Sequence, residues 1–231
     1  MTRKAIIRFL ILKSIGNFLV LFSLFGIFAT FGPALYFEVR FQVEQARGVY
    51  YTIADSKHAP LDWQTTQSQG LPSLFGFTAD KHQVLIPQST NFTLLIPKIG
   101  ANAKVFANVD PSREENYLPI LKQGVAHAKG SALPDENGTV YMFAHSTDNF
   151  WDVGLYNAIF YLLKDLQRGD AVTIFYKDKR YDYTVTNSII TDPNDIGYLT
   201  QSRATDRQVV LQTCWPPGTT WKRLLVIAKP K

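Results

Sequence analysis

The chain has 231 residues, room for one ordinary domain plus an appendage, and its 46% hydrophobic content can fill a real core. The formal net charge of +5 looks basic, yet Arg3, Lys4, Arg8 and Lys13 supply four of those charges with no acid before Glu38. The rest of the chain sums to about one positive charge, so no basic face is left to neutralise phosphates, and a nucleic-acid partner is excluded.

Residues 1–13 read as a basic N-terminus on the cytoplasmic side. From Ser14 to Phe37 there are 24 residues without a charge. A helix needs about 20 apolar residues to cross the hydrocarbon core. The apolar region of a cleaved signal peptide usually runs about 7–15 residues, and no clear small-x-small cleavage site precedes Glu38. Residues 14–37 are therefore expected to be an uncleaved transmembrane anchor, not a signal peptide or a buried helix. The basic flank keeps the N-terminus in the cytoplasm, so the long C-terminal part lies outside, in the single-pass type II orientation.

Residues 38–81 are expected to form a juxtamembrane helix and linker. Glu38, Arg40, Glu44 and Arg47 are spaced as a solvated face that extends the helix to about Gly48. A polar stretch containing Gln64–Gly70 follows, to about Lys81.

From residue 82 to 231 the texture changes to short runs rich in β-branched and aromatic residues, bounded by Gly, Pro, Asn and Asp. These runs are Val84–Ile86, Phe92–Ile96, Thr139–Ala144, Ala171–Tyr176, Tyr181–Val185, Gln208–Gln212 and Leu224–Ala228. Phe175–Tyr181 reads as a hairpin. Trp151–Leu166 reads as a helix, because Leu155, Ile159, Leu162, Leu163 and Leu166 recur at helical spacing, with Gly169 beyond its end. About six to eight short strands with one or two helices predict a mainly β fold, a closed or nearly closed barrel.

The single cysteine, Cys214, carries the chemistry. Exported thiols are usually paired, and a lone one cannot be an intramolecular staple. A thiol attacks as its thiolate, with a reference pKa of about 8.5, so it needs a basic partner and a donor for the charge that develops on a carbonyl. Among His58, His82, His127 and His145, the first two fall in or beside the linker. His145 ends the run Thr139–Ala144, where a rigid scaffold presents functional groups, and His127 lies just upstream; chemistry favours His145 without excluding His127. Arg223 opens the run Leu224–Ala228, while Cys214 closes Gln208–Gln212. If the two strands pair, both residues face the loop between Trp215 and Lys222, and the guanidinium can donate to an oxyanion. A core cysteine and a surface arginine are the bland alternatives for each residue alone; the spacing of the two favours function.

Taken together, these residues resemble the sortases, membrane-anchored cysteine transpeptidases of Gram-positive-type bacteria. The resemblance rests on Thr213-Cys214 ending one strand, Arg223 opening the next and His145 ending an earlier one. Leu95–Gly100, Gly124–Pro134, Asn137–Val140, Leu163–Val172 and Tyr181–Val185 support it, over about residues 85–231. The departures are Ala144 where many relatives carry Gly before the histidine, and the double proline after Trp215, which should stiffen the loop.

The resemblance implies a closed eight-stranded barrel and a catalytic set of His145, Cys214 and Arg223. It makes His127 a structural or groove residue, and His127, Thr213 and Trp215 secondary candidates for substrate binding. It implies cleavage of an LPXTG-like sorting motif in secreted proteins through a thioester, with transfer to an amine of a peptidoglycan precursor or pilin subunit. No cofactor is required. Some sortases bind calcium with acidic loop residues; Glu114 and Glu115 lie in the corresponding region but read as solvated surface. Asp62-Trp63 resembles the lid of some relatives, without the intervening proline. Pilus-building relatives often carry a second membrane segment at the C-terminus, and the ending Ala228–Lys231 favours an anchoring or housekeeping role.

Two other readings compete. An L,D-transpeptidase would carry His-Gly near the cysteine, whereas Thr213 precedes Cys214 here. A non-catalytic, membrane-anchored extracytoplasmic interaction domain would leave Cys214 buried and unreactive.

Overall fold

The computed structural model describes residues 3–53, 82–146, 160–195, 197 and 207–231. It begins with one helix, α1 (Arg3–Ala46), of 44 residues, about 66 Å at 1.5 Å per residue. Its segment Ile6–Phe28, with mean hydropathy 2.0 and no burial against the rest of the chain, is long and apolar enough to cross a membrane. That segment overlaps the uncharged stretch read from the sequence and starts earlier. The helix continues without a break past Glu38, so the apolar segment and the juxtamembrane helix are one element.

The C-terminal part of α1 rests on the body of the protein. Phe41 is buried, and Glu38 accepts a 2.7 Å bond from Lys164. Arg40 and Tyr51 both donate to Glu44, at 2.7 and 3.0 Å. Tyr51 belongs to β1 (Tyr50–Ile53), which pairs in parallel with β2 (His82–Leu85) as a small separate sheet. The expected polar linker Gln64–Gly70 and Asp62-Trp63 lie outside the described residues.

The remaining strands are β3 (Phe92–Ile96), β4 (Ala101–Val109), β5 (Val125–Ala128) and β6 (Thr139–Phe143). They are followed by β7 (Ala171–Tyr176), β8 (Lys179–Thr191), β9 (Gln208–Trp215) and β10 (Lys222–Pro230). They close into a barrel in the order β10-β8-β7-β3-β4-β5-β6-β9. Closure leaves no unpaired edge strand in the barrel. The pairs β4–β5 and β6–β9 are parallel, and the others are antiparallel.

Strand alternation gives the barrel two apolar faces. Leu94, Val125, Met142, Ile174, Leu211 and Val226 fill the interior. Ala126, Tyr141, Phe143, Val210 and Leu225 point outward and are covered by the helix α2 (Glu114–Leu121), which turns Tyr117, Ile120 and Leu121 towards them. With both faces covered, β5 and β6 are buried at every position and show no polar alternation.

Local sequence explains the turns. The hairpin at Phe175–Tyr181 is present, with Lys177 and Asp178 at φ of 50° and 61°. Two left-handed residues match the twist of the flanking strands, and Asp tolerates that conformation. The carbonyls of Asn91 and Thr90 accept the Lys177 and Asp178 amides, both at 3.1 Å. Gly124 precedes β5 because a Cβ there would lie 2.3 Å from the Lys104 carbonyl oxygen; only glycine lets the chain approach β4 so closely.

The mainly β class and the barrel agree with the sequence reading. The strands β1, β4 and β5 and the helix α2 are additions that the sequence reading does not contain; β1 falls within the expected linker. The helix expected over Trp151–Leu166 is corrected in its described part: Tyr161–Asp165 is a short 3-10 turn, with Leu163 and Leu166 buried. Residues 147–159 lie outside the described residues.

Candidate active site

The hairpin of β9 and β10 sets Arg223 directly opposite Cys214. Residues opposed on antiparallel strands share a face, with Cβ atoms about 4.5–5.5 Å apart. Neighbours in the ladder identify the face. Leu211, Leu224 and Val226 belong to the interior, while Val210 and Leu225, which alternate with them, belong to the outer cluster. Counting on by twos, Cys214 and Arg223 point outward, and both are half-buried. Cys214 is a free thiol.

On the other side of β9 runs β6, parallel to it, with Phe143 level with Gln212. The ladder extends one step further, since the Ala144 amide donates to the Gln212 carbonyl at 3.2 Å. The Thr213 hydroxyl then donates to the Ala144 carbonyl at 3.1 Å. His145 follows this anchored residue directly, two positions beyond the end of β6. Ala144 and Ser146 are buried while His145 is half-buried, so alternation continues from Tyr141 and Phe143 and gives His145 the outer face. The thiol and guanidinium thus come from paired strands, and the imidazole from the residues that directly follow β6, at one end of the barrel.

Arg223 is held by the loop it closes. Its Nη1 donates to the carbonyls of Thr220 and Lys222 at 3.1 and 3.2 Å. The Thr219 amide and hydroxyl both donate to the Pro216 carbonyl, at 3.0 and 2.8 Å, which ties the loop across its own base. Among the described residues no carboxylate forms an ion pair with Arg223, so its charge is not neutralised from within that set. Trp221, on the same loop, is 73% exposed, whereas Trp215 packs partly against the interior cluster.

His127 and Thr213, the secondary binding candidates, both lie inside. His127 is level with Met142 and is fully buried. Its Nδ1 accepts the Asn108 amide at 3.2 Å, so Nε2 carries the proton and donates to the Ala132 carbonyl at 2.9 Å. Burial pushes its pKa below the usual value, against the opposing effect of the Ala132 bond. The imidazole is therefore a neutral interior strut on the opposite side of the sheet from Cys214. Thr213 is 2% exposed, and its hydroxyl is engaged by Ala144.

Three further side chains surround the site on the outer face. Tyr141 donates to Gln212, two residues before Cys214. Burial raises the Tyr141 pKa above the ordinary range, although Arg223 pulls the other way. Tyr117 of α2 stands edge-on to Phe143, at 5.8 Å and 84°. Gln212 is reachable from the sequence, since a period of two carries Cys214 back to it. Tyr117 is not, because α2 is short, contains Pro119 and has no clear apolar repeat. Among the described residues no group of His, Cys, Asp or Glu could hold a metal ion, and Glu114 and Glu115 are exposed on the first turn of α2.

Chemically, the arrangement offers a free thiol and a guanidinium without an ion pair among the described residues on one surface, with an imidazole just beyond β6. The sortase-domain family model matches residues 94–231. Sortase D of Bacillus subtilis (strain 168) is 27% identical over 139 residues, which is 59% of this chain and 61% of that protein. The chain thus spans under two thirds of the length of that relative. Sortase A from Corynebacterium diphtheriae superposes with a TM-score of 0.51 at 25% identity, covering 61% of this chain and 60% of the other. A Clostridium perfringens sortase C structure with the C-terminal cell wall sorting motif superposes with a TM-score of 0.50 at 27% identity, covering 60% and 69%. The matched region runs from within β3 to the last residue, takes in the rest of the barrel, and exceeds half the sequence: the chain belongs to the sortase domain family.

Proposed function

We propose that the protein is a sortase transpeptidase acting on secreted proteins with an LPXTG-like sorting signal. Cys214 attacks a backbone carbonyl of that signal and forms a carbon–sulfur bond. Arg223 donates to the oxyanion of the tetrahedral intermediate. His145 protonates the leaving amine as the carbon–nitrogen bond breaks, leaving a thioester. An amine from a peptidoglycan precursor or pilin subunit gives a proton to His145, attacks the thioester and expels the thiolate. The new amide bond replaces the old one, so the exchange needs no external energy source.

The observation that supports this reading best is the cross-strand pairing of Cys214 with Arg223, with His145 just beyond the end of β6, the strand on the other side of β9. The neighbouring Thr213–Ala144 bond serves to position the histidine. Residues 82–231 act as the catalytic domain and residues 38–81 as its connection to the anchor. The apolar helix fits a membrane anchor. With the basic N-terminus inside, the catalytic domain faces the extracytoplasmic side.

Intact-mass measurement tests the proposal. The full chain, held in detergent and given an LPXTG-like peptide without an amine acceptor, should gain the mass of the acyl fragment. Adding an amine should discharge the adduct into a transfer product. An unmodified enzyme across a peptide library, together with a thiol that resists a small alkylating reagent, would favour the non-catalytic interaction domain instead.

A further inference from the structure

The helix α2 crosses the outer face of the barrel and brings Tyr117 to the reacting groups. Its residues at i, i+3 and i+4, Tyr117, Ile120 and Leu121, turn to the sheet, and Leu121 is buried beneath the helix. Tyr117 stands at the end of this row and is only half-buried. Its ring meets Phe143 edge-on at 5.8 Å, and Phe143 precedes His145 by two residues on the same face. Its hydroxyl lies within electrostatic reach of both Arg223 and Cys214. Among the described residues no hydrogen-bond partner for that hydroxyl is present. A tyrosine that packs its ring edge-on against the same face as the cluster and has no hydroxyl partner among the described residues is suited to contact a ligand.

We propose that Tyr117 is a substrate-contacting residue. Its phenol hydrogen-bonds to the bound acyl-donor peptide, and its ring bounds the space for the side chain that flanks the attacked carbonyl. The inference rests on the transpeptidase reading of the same site. Burial and then Glu114 raise the phenol's pKa against the pull of Arg223, so the group is protonated and can donate near neutral pH. A peptide lying over Cys214 exposes backbone carbonyls that need donors once water is displaced. Arg223 meets the need of the oxyanion, and Tyr117 meets that of a neighbouring peptide group. Its place on a helix, outside the catalytic strands, lets the ring limit substrate size without disturbing the nucleophile.

The test uses the full chain in detergent with LPXTG-like peptides varied at the residue that flanks the attacked carbonyl. Tyr117→Phe keeps the ring and removes the hydroxyl; kcat/KM should fall about three- to tenfold, with the size preference retained. Tyr117→Leu removes the aromatic wall; larger flanking residues should gain relative to small ones. A purely structural role would lower Tm without altering the preference profile. Variants within twofold of wild type, with an unchanged profile, overturn the inference. An inactive wild type across the library overturns the transpeptidase reading and this inference with it, and that result is seen before any variant is measured.

Discussion

The Thr213 hydroxyl donates to the Ala144 carbonyl at 3.1 Å and so ties the nucleophile's strand to the residue before His145. One bond sets the relative height of two groups that come from strands almost seventy positions apart in sequence. Replacing Thr213 by Val keeps the shape but leaves a buried carbonyl without that donor, at a cost of about 1–3 kcal/mol. Tm should fall by several degrees, and kcat should fall about ten- to a hundredfold as the imidazole loses its fixed position. Thr213→Ser should restore most of both. A Val variant with wild-type kcat would refute the positioning role.

The Cys214–Arg223 pair makes a second prediction. Cys214→Ala should lose the acyl adduct completely, with the fold intact by circular dichroism. Arg223→Lys should lose about a hundred- to a thousandfold in kcat, because an ammonium lacks the planar donor fork that reaches both loop carbonyls and an oxyanion. Transfer rates with a fluorescent peptide measure both. A Lys variant within tenfold of wild type would show that the arginine is not the oxyanion donor.

Acid sensitivity of the barrel should arise in part at His127, the buried imidazole, whose folded pKa is depressed, chiefly by burial. Its neutral form is favoured in the fold, whereas in the unfolded chain it titrates near about 6.5. Its contribution to stability is therefore fully present above that value and is lost as pH falls towards the folded pKa. The barrel's Tm should decline from about pH 7 to pH 5, and His127→Gln should show a shallower decline from a lower starting point. Identical slopes in the two proteins would exclude His127 as a source of acid sensitivity.

Glu38 and Lys164 dock α1 on the barrel at 2.7 Å, with side-chain exposures of 29% and 21%. The bond from Lys164 lowers the Glu38 pKa. For Lys164, burial acts downward, but the bonds to Glu38 and Asp165 outweigh it and the pKa is raised. The Glu38 contribution is present above the ordinary carboxylate value of about 4.3 and lost as pH falls through the lowered one; the Lys164 contribution is present below about 10.4 and lost as pH rises through the raised one. At neutral pH, Lys164→Met should speed hydrogen exchange over residues 38–53 and leave the interior strands unchanged. Unaltered exchange there would mean that Phe41 and its apolar contacts suffice to hold the helix.

Much of this was legible in the sequence because its signals are local. An uncharged stretch announces the apolar helix, turn residues bracket β3, β6, β7 and the β7–β8 hairpin, and a lone cysteine near an arginine marks the β9–β10 loop. The strands β4 and β5 were not legible. β5 (VAHA) holds one β-branched residue and β4 (ANAKVFANV) is interrupted by Asn and Lys, so neither shows the β-branched and aromatic run that marks β3 and β6. The 3-10 turn at Tyr161–Asp165 imitated a helix because its leucines pack on the barrel at helical spacing.

By itself the sequence determined which residue types were on offer: one thiol, its flanking threonine, an arginine a hairpin away, two eligible histidines and an anchor-length apolar segment. Only the tertiary structure decided which side of the barrel wall each one occupies. That depends on strand register, where a shift of one residue sends a side chain to the opposite face. Register placed Cys214 and Arg223 outside and drew His127 inside, and the packing of α2 brought Tyr117 to the outer surface.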